Sequence, residues 1–273
     1  MQARPYLAAF RARFQLMLQY RAAALAGFAT QCWWGAIFLM VYAAFYDAHA
    51  AAAPFSLTNL VTYVWLGQAL LALLPWVADP GIGQAVRTGG VGYDRLRPLD
   101  AYGYWYASTL GWMLARAVPR AALMLLAAGI ALPLLGLGDW AWRPPAGPVA
   151  ALLFVPAFAL MTALGAAVLM LANIVVAASL NERGVNAVLT PLVLVFSGSL
   201  LPLNFFPDAL RPFLHLQPLA GLVDIPFRIY FADLSGGAAL RGLALQAGWT
   251  LVLIGVGRIA MERMMTRLEM QGG

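Results

Sequence analysis

The chain has 273 residues, of which 63% are hydrophobic and only 10% are charged. A soluble domain carries about 25% charged residues, so this chain cannot cover its surface with polar groups and is expected to use lipid as its solvent. All 17 residues of the Lys+Arg count are arginines, which excludes any chemistry that needs a lysine of this chain, including the phosphate-binding loop of P-loop ATPases.

The first predicted element is an amphipathic helix over residues 4–21. Leu7, Phe10 and Phe14 recur at helical spacing, while Arg4 and Arg11 fall on the other side. A basic helix of this kind lies in the plane of the lipid headgroups, so we expect residues 1–21 to form an interfacial helix ahead of the first membrane span.

Six apolar segments of about membrane length follow, and they predict an all-α integral membrane protein with a single transmembrane domain over residues 1–273. The predicted spans are residues 22–46, 57–77, 118–136, 149–178, 185–206 and 240–260. Pro75, Asp79 and Pro80 end the second span, because neither proline nor a charge readily continues a lipid-facing helix.

The third span has two possible starts. An aromatic cluster at residues 102–112, typical of the water–lipid boundary, precedes Arg116 and Arg120, which lie four residues apart on one helix face. If the helix enters lipid near Gly103, both arginines lie deep in the membrane and are candidate functional residues. If it enters near Pro119, their side chains simply reach the headgroups.

Residues 203–235, between the fifth and sixth spans, are too polar to cross the membrane and too apolar for an ordinary exposed loop. Prolines at 207, 212, 218 and 226 interrupt them, and aromatic residues alternate with charged ones. Irregular backbone at membrane depth is tolerated only where protein or a water-filled cavity covers it. We therefore expect short broken helices that re-enter the outer face.

The arginines predict the orientation. Six spans place both termini on one side, which carries eleven arginines against four on the other, with Arg116 and Arg120 uncounted. The eleven are Arg4, Arg11, Arg13, Arg21, Arg87, Arg95, Arg97, Arg183, Arg258, Arg263 and Arg267, and the four are Arg143, Arg211, Arg228 and Arg241. The excess predicts cytoplasmic termini, and the net charge of +6 then reflects membrane topology without a nucleic-acid partner.

No catalytic or metal-binding spacing stands out, since His49 and His215 lack ligand neighbours and no acidic residue occupies a span centre. The strongest polar signal is residues 87–100, RTGGVGYDRLRPLD, between the second and third spans. Gly89 and Gly90 allow a sharp turn, and YDRLRPLD can form a short helix with charges of both signs. Such a helix suits docking into a groove on a soluble partner.

These features together resemble a known family. The interfacial helix, six spans, a loop ending in LRPLD and a broken region before the last span resemble the permease subunits of ABC-2 type exporters. More closely, RTGGVGYDRLRPLD, the stretch SGSLLPLNFFPDALRPFLHLQPLAGLVDIPFRIY at residues 197–230 and the final Gln271-Gly272-Gly273 resemble a bacterial branch of that family. Members of this branch work with a separate ATPase and often with a second permease.

The resemblance implies a non-catalytic permease subunit of the bacterial inner membrane. A dimer of permeases, identical or homologous, would export a small amphiphilic or drug-like compound, driven by cytoplasmic P-loop ATPase subunits that bind the ATP and Mg²⁺; the permease itself would bind no cofactor or metal. Residues 81–100 would form the cytoplasmic coupling loop, with ATPase-facing Gln84, Arg87, Gly89, Gly90, Asp94, Arg95, Leu96, Arg97, Pro98 and Asp100. The outer gate would contain Ser197, Gly198, Pro202, Phe205, Phe206, Asp208, Asp224, Pro226 and Arg228.

Two other classes stay open on the residues alone. A self-sufficient secondary carrier would move its substrate with an ion gradient, and such carriers usually place ionisable groups at the membrane midplane, where only Arg116 and Arg120 are candidates here. A membrane scaffold or membrane enzyme that transports nothing is the third class.

Overall fold

A computed structural model describes residues 4–49, 56–92 and 98–267, and within these ranges the chain is helical and contains no strand. The helices are α1 (Arg4–Leu18), α2 (Arg21–His49), α3 (Leu57–Leu70), α4 (Pro80–Arg87), α5 (Ala101–Leu126), α6 (Pro148–Ser179), α7 (Glu182–Phe196), α8 (Arg211–Leu216), α9 (Asp224–Tyr230) and α10 (Gly236–Arg267). A 3-10 turn, Leu71–Leu73, extends α3, and a π-helical turn, Ala127–Ala131, followed by Leu132–Leu134, extends α5.

Four of these helical stretches are long and apolar enough to cross a membrane: Arg21–Tyr46, Ala101–Leu134, Pro148–Ser179 and Gly236–Thr266. They correspond to the first, third, fourth and sixth predicted spans, and they indicate a multi-pass membrane protein. The apolar helix Leu57–Leu73, at the second predicted span, is shorter. At the fifth, α7 has 15 residues, or about 22 Å of helix, against a hydrocarbon core of about 30 Å.

Both shorter helices end at recognisable backbone signals. After Leu73 the chain becomes extended at Leu74 and turns at Asp79–Pro80 into α4. After Phe196, Gly198 adopts a φ of +88°, a left-handed conformation that glycine adopts far more readily than other residues. Compared with the predicted fifth span, 185–206, α7 begins three residues earlier and ends ten residues earlier, at Phe196. Residues 197–206 belong to the broken region.

The helix of the third predicted span begins directly after Asp100, whose carboxylate caps α5 by accepting a hydrogen bond from the Gly103 N–H at 2.9 Å. From there α5 runs without interruption through Pro119. At about 1.5 Å per residue, the stretch Ala101–Leu134 is about 50 Å long, which exceeds the membrane core. One end of α5 must therefore extend beyond the hydrocarbon region if the helix crosses it.

The central helix is α6. Half of its most apolar stretch is buried inside the protein, against 17% in each of the other three long helices. Its Leu164 and Leu169 are fully buried in the largest apolar cluster, together with Met113 of α5 and Phe227 of α9. Of the other long helices, α5 and α10 pack against α6, while α2 packs on α3 and α5. The long helices leave apolar faces outward, as a protein solvated by lipid would.

The N-terminal helix α1 is present, and it packs lengthwise on the first half of α5. Gly111 allows this approach, since a Cβ there would lie 2.5 Å from the carbonyl oxygen of Phe10. No residue of α1 is fully buried, and Leu7 and Leu16 on its outer side are exposed. The helix ends at Leu18, three residues before the predicted end, and its interfacial position relative to a membrane stays a prediction.

Candidate functional site

The short helix α4 covers the first part of the predicted coupling loop, residues 81–87. Asp79 caps its N-terminus by accepting the Gly81 N–H at 2.8 Å, and Pro80 occupies the first helical position, where its missing N–H costs nothing. Ile82 and Val86 pack against a buried cluster of α5, α6 and α10 side chains. Gln84 and Arg87, on the opposite face, are exposed.

The residues that lead into α4, Trp76–Asp79, form a corner whose backbone groups are hydrogen-bonded to two other helices. Asn173 of α6 accepts the Asp79 N–H, and Asn186 of α7 accepts the Ala78 N–H, both at 2.9 Å. Thr190 of α7 donates its hydroxyl to the Trp76 carbonyl at 2.7 Å. Side-chain amides and a hydroxyl thus satisfy backbone groups that no helix or sheet can pair here.

An ion pair fastens the same corner to α1. Nη2 of Arg13 lies 2.8 Å from both carboxylate oxygens of Asp79, whose side chain is only 4% exposed. A buried carboxylate is tolerated when a charged partner and hydrogen bonds satisfy it, and Asp79 has both. The corner therefore ties α1, α6 and α7 to the start of α4.

The other predicted coupling residues have different surroundings. Arg87 lies 3.7 Å from Glu182 at the start of α7, and Gly89 turns the chain after α4 with a φ of +73°. Gly90 follows in that turn, and Pro98 is exposed. The remaining members of the set, Asp94, Arg95, Leu96 and Arg97, lie outside the described residues.

Asp100 is held within the chain. Besides capping α5 it pairs with Arg258 of α10 at 3.2 Å. The two residues line a cleft of about 270 Å³, together with Glu262. Asp100 thus connects α5 to α10, a role that its place in the resemblance did not suggest.

The outer-gate residues are partly brought together around the turn after α7. Ser197 is fully buried, and its carbonyl accepts the N–H of Asp224 at 3.2 Å. The Gly198 carbonyl accepts the Tyr63 hydroxyl of α3 at 2.7 Å. The turn that ends α7 is therefore bonded to α3 on one side and to α9 on the other.

Asp224 and Arg228 form a cluster with His215, which the sequence did not single out. The buried Asp224 carboxylate lies 3.0 Å from Nδ1 of His215 and 3.3 Å from Nη1 of Arg228. Nη1 of Arg228 is also 3.3 Å from the same His215 nitrogen. Since Nδ1 donates only when protonated and accepts only when it is not, it can bond to Asp224 or to Arg228, but not to both at once.

Other members of the predicted gate lie around this cluster. Phe205 contacts Tyr42 of α2, with ring centroids 6.4 Å apart, and the Phe206 carbonyl accepts Nε of Arg211 at 2.8 Å. Pro202 precedes the 3-10 turn Leu203–Phe205, and Pro226 is buried within α9. Asp208 is 87% exposed and pairs with Arg211.

Arg116 and Arg120 both contact other parts of the chain. The Arg116 guanidinium lies over the Trp112 ring, with its carbon 4.1 Å from the ring centroid. Arg120 donates from Nη2 to the Ala23 carbonyl of α2 at 3.4 Å. Arg120 thus contacts the first turn of α2, whereas Arg116 contacts its own helix, α5.

The contacts described above anchor α4 and the turn after α7 to the surrounding helices. Among residues 4–49, 56–92 and 98–267, no group of three or more His, Cys, Asp and Glu residues could hold a metal ion. Sequence reasoning missed the residues that fasten the corner, which are Arg13, Asp79, Asn173, Asn186 and Thr190. Asp79 followed by Pro80 is a recognisable helix start, and this signal could have identified one of them.

No known family model matches this chain, and no curated protein matches it.

Proposed function

We propose that this chain is the membrane-spanning, non-catalytic permease subunit of an ATP-driven ABC-2 type exporter in a bacterial inner membrane. In this proposal α3 and α7 complete six spans, both termini are cytoplasmic, and α4 is the coupling helix of a separate P-loop ATPase. A second permease, identical or homologous, completes the pathway, and a small amphiphilic or drug-like compound is the cargo. The observation that supports the proposal is the set of hydrogen bonds and the ion pair that link the start of α4 to α1, α6 and α7.

A coupling helix must present a surface to its partner and transmit displacement to the bundle. Gln84 and Arg87 provide an exposed polar surface on α4. The Arg13–Asp79 pair at 2.8 Å and the Asn173 contact at 2.9 Å would carry a push on α4 to α1 and α6. Because these bonds are short and largely shielded from water, α4 cannot move far without moving the helices to which it is bonded.

Helix α7 supplies a direct path from α4 to the opposite end of the bundle. At its start, Glu182 lies 3.7 Å from Arg87, and at its end the Phe196 carbonyl accepts Nε2 of Gln217 at 2.8 Å. Its 15 residues span about 22 Å. A tilt of α7 would therefore shift the Ser197–Gly198 turn and its bonds to Tyr63 and Asp224, which favours an outer gate at this turn.

The first test is to identify the partner. The full chain, tagged and purified from its native membrane in mild detergent, should bring down a P-loop ATPase, and the reconstituted complex should hydrolyse ATP and accumulate an amphiphilic dye in inverted vesicles. If no ATPase copurifies and the chain alone supports ion-driven flux in vesicles, the protein is a secondary carrier.

The second test separates docking from intrachain support. Arg87→Ala removes both a partner-facing charge and the pair with Glu182, whereas Glu182→Gln removes only the pair. Arginine anchors at interfaces often contribute about 1–2 kcal/mol, so Arg87→Ala should weaken ATPase binding by about 5- to 30-fold, as measured by titration of the isolated ATPase. Glu182→Gln should leave the affinity within about twofold. Equal losses in both variants would assign Arg87 to internal support and remove it from the docking surface.

A further inference from the structure

Two arginines of α5 lack an acidic partner in the described part of the chain. Arg116 and Arg120 lie four residues apart on one helix face, where Cβ atoms are about 5–6 Å apart. Their partners are the Trp112 ring for Arg116 and the Ala23 carbonyl for Arg120. Two neighbouring guanidinium groups repel each other, and Asp79, the carboxylate whose charge acts on Arg116, is already paired with Arg13. An external negative charge would therefore compensate the two arginines further.

The Arg120 guanidinium packs against Gly27 of α2, at a position that only a glycine leaves open. A Cβ at Gly27 of α2 would overlap Cζ of Arg120, so the guanidinium lies flat against a glycine notch. Nε is buried without an acceptor, and the single bond from Nη2 to Ala23, at 3.4 Å, exceeds the usual N–H···O range of about 2.7–3.2 Å. Of five N–H donors, Arg120 thus uses one, weakly.

The location indicates which kind of anion would be near. Ala23 and Gly27 lie in the first two turns of α2, a helix of membrane-crossing length, and Gly27 is about 9 Å along the axis from Arg21, the exposed first residue. The end of a membrane helix is where lipid headgroups begin, and an arginine side chain can extend toward them. Arg21 adds a third positive charge at this end.

We infer that Arg116 and Arg120 form a binding site for the phosphate of an anionic phospholipid, with Arg21 at its rim. Guanidinium groups bind phosphate through paired, charge-assisted hydrogen bonds. Because Nε of Arg120 is buried, the donors that would meet the phosphate are those of its Nη1 and Nη2. The Trp112 ring supports Arg116 from beneath and fixes its orientation. The acyl chains would lie along the apolar side of α2 and α5. This inference does not depend on the proposed export function.

The test uses the purified full chain in dodecyl maltoside. Binding of dioleoylphosphatidylglycerol and dioleoylphosphatidylcholine is measured by native mass spectrometry and by the shift of the unfolding temperature on lipid titration, with inorganic phosphate as a third additive. We expect the anionic lipid to bind at least about tenfold more tightly than phosphatidylcholine, and Arg116→Gln/Arg120→Gln to abolish this preference. Arg143→Gln/Arg241→Gln removes the same charge elsewhere and should preserve it.

A second variant distinguishes loss of the binding site from misfolding of the double variant. Gly27→Ala keeps every charge but displaces the Arg120 guanidinium, so it should also weaken phosphatidylglycerol binding by about tenfold, with circular dichroism and gel filtration confirming the fold. Unchanged lipid preference in Gly27→Ala and in the double variant would overturn the inference, as would equal binding of both lipids to the original protein. Arginine-dependent binding of inorganic phosphate as tight as that of the lipid would assign the site to free phosphate instead.

Discussion

Replacing Asp79 should destabilise the protein more than replacing any exposed carboxylate. Asp79→Ala leaves the Arg13 guanidinium without its anion, and it removes the cap of α4. Breaking a buried ion pair costs about 3–5 kcal/mol, which must be reduced here because the Arg13 side chain is 23% exposed and partly screened by solvent. With about 1 kcal/mol for the lost cap, we expect a net loss of about 2–4 kcal/mol. Asp79→Asn preserves an oxygen for the Gly81 N–H, so its loss should be about half as large.

The assay is the unfolding temperature of the purified chain in detergent. A loss of 1 kcal/mol lowers this temperature by about 2–4 °C in chains of similar size, so Asp79→Ala should lower it by about 4–16 °C. Asp208→Ala is the matched control, because Asp208 also pairs with an arginine but is 87% exposed; we expect a change under about 1–2 °C.

A double-mutant cycle isolates the pair itself. Arg13→Ala/Asp79→Ala should be less destabilised than the sum of the two single variants by about 1–3 kcal/mol, because the second substitution removes a group that the first has left unpaired. Strict additivity, or an Asp79→Ala variant that unfolds within about 1 °C of the original protein, would refute the argument that the corner depends on this ion pair.

Two further predictions concern close packing and the turn after α7. Gly111→Ala should destabilise the protein by about 2–3 kcal/mol and expose α1 to trypsin, because the new methyl group overlaps the rigid backbone at Phe10; Gly248→Ala, with open space at its Cβ, should instead raise stability by about 0.5–1 kcal/mol. Tyr63→Phe leaves the Gly198 carbonyl without its donor at 2.7 Å and should lower stability by about 1–3 kcal/mol in the same thermal assay. Comparable trypsin sensitivity in both glycine variants, or an unchanged unfolding temperature in Tyr63→Phe, would contradict these assignments.

The long apolar helices could be predicted because their signal is local. The first predicted span, 22–46, differs from α2 by one residue at its start and by three at its end, and 149–178 differs from α6 by one residue at each end. The sixth, 240–260, is shorter than α10, since α10 begins at Gly236 and continues past Ala260 through Glu262 and Arg263. Charges end a membrane-compatible segment but do not end a helix, so a hydropathy pattern marks only part of such an element.

The candidate site could be predicted only in part. Gln84 and Arg87, which were assigned through the resemblance, lie on the exposed face of α4. The Arg13–Asp79 pair does not, because its members are 66 positions apart and nothing in either neighbourhood indicates the other. The cap that Asp100 forms on α5 could have been predicted, since an aspartate just before an apolar helix is a common cap. Its assignment to a partner surface stays a prediction.

The contacts of the Trp76–Asp79 corner also determine when α4 can be held in place during synthesis of the chain. The corner's contacts are made with residues 66, 94, 108 and 114 positions away, and the most distant partner, Thr190, lies in α7. Contacts of such long sequence separation form late, after the loops between them have closed. A nascent chain can therefore insert its first helices while α4 is still unanchored, and only the arrival of α6 and α7 locks it. Until then Asp79 and the backbone N–H groups of the corner lack their partners on α6 and α7, and they can be bound by chaperones or by wrongly paired helices.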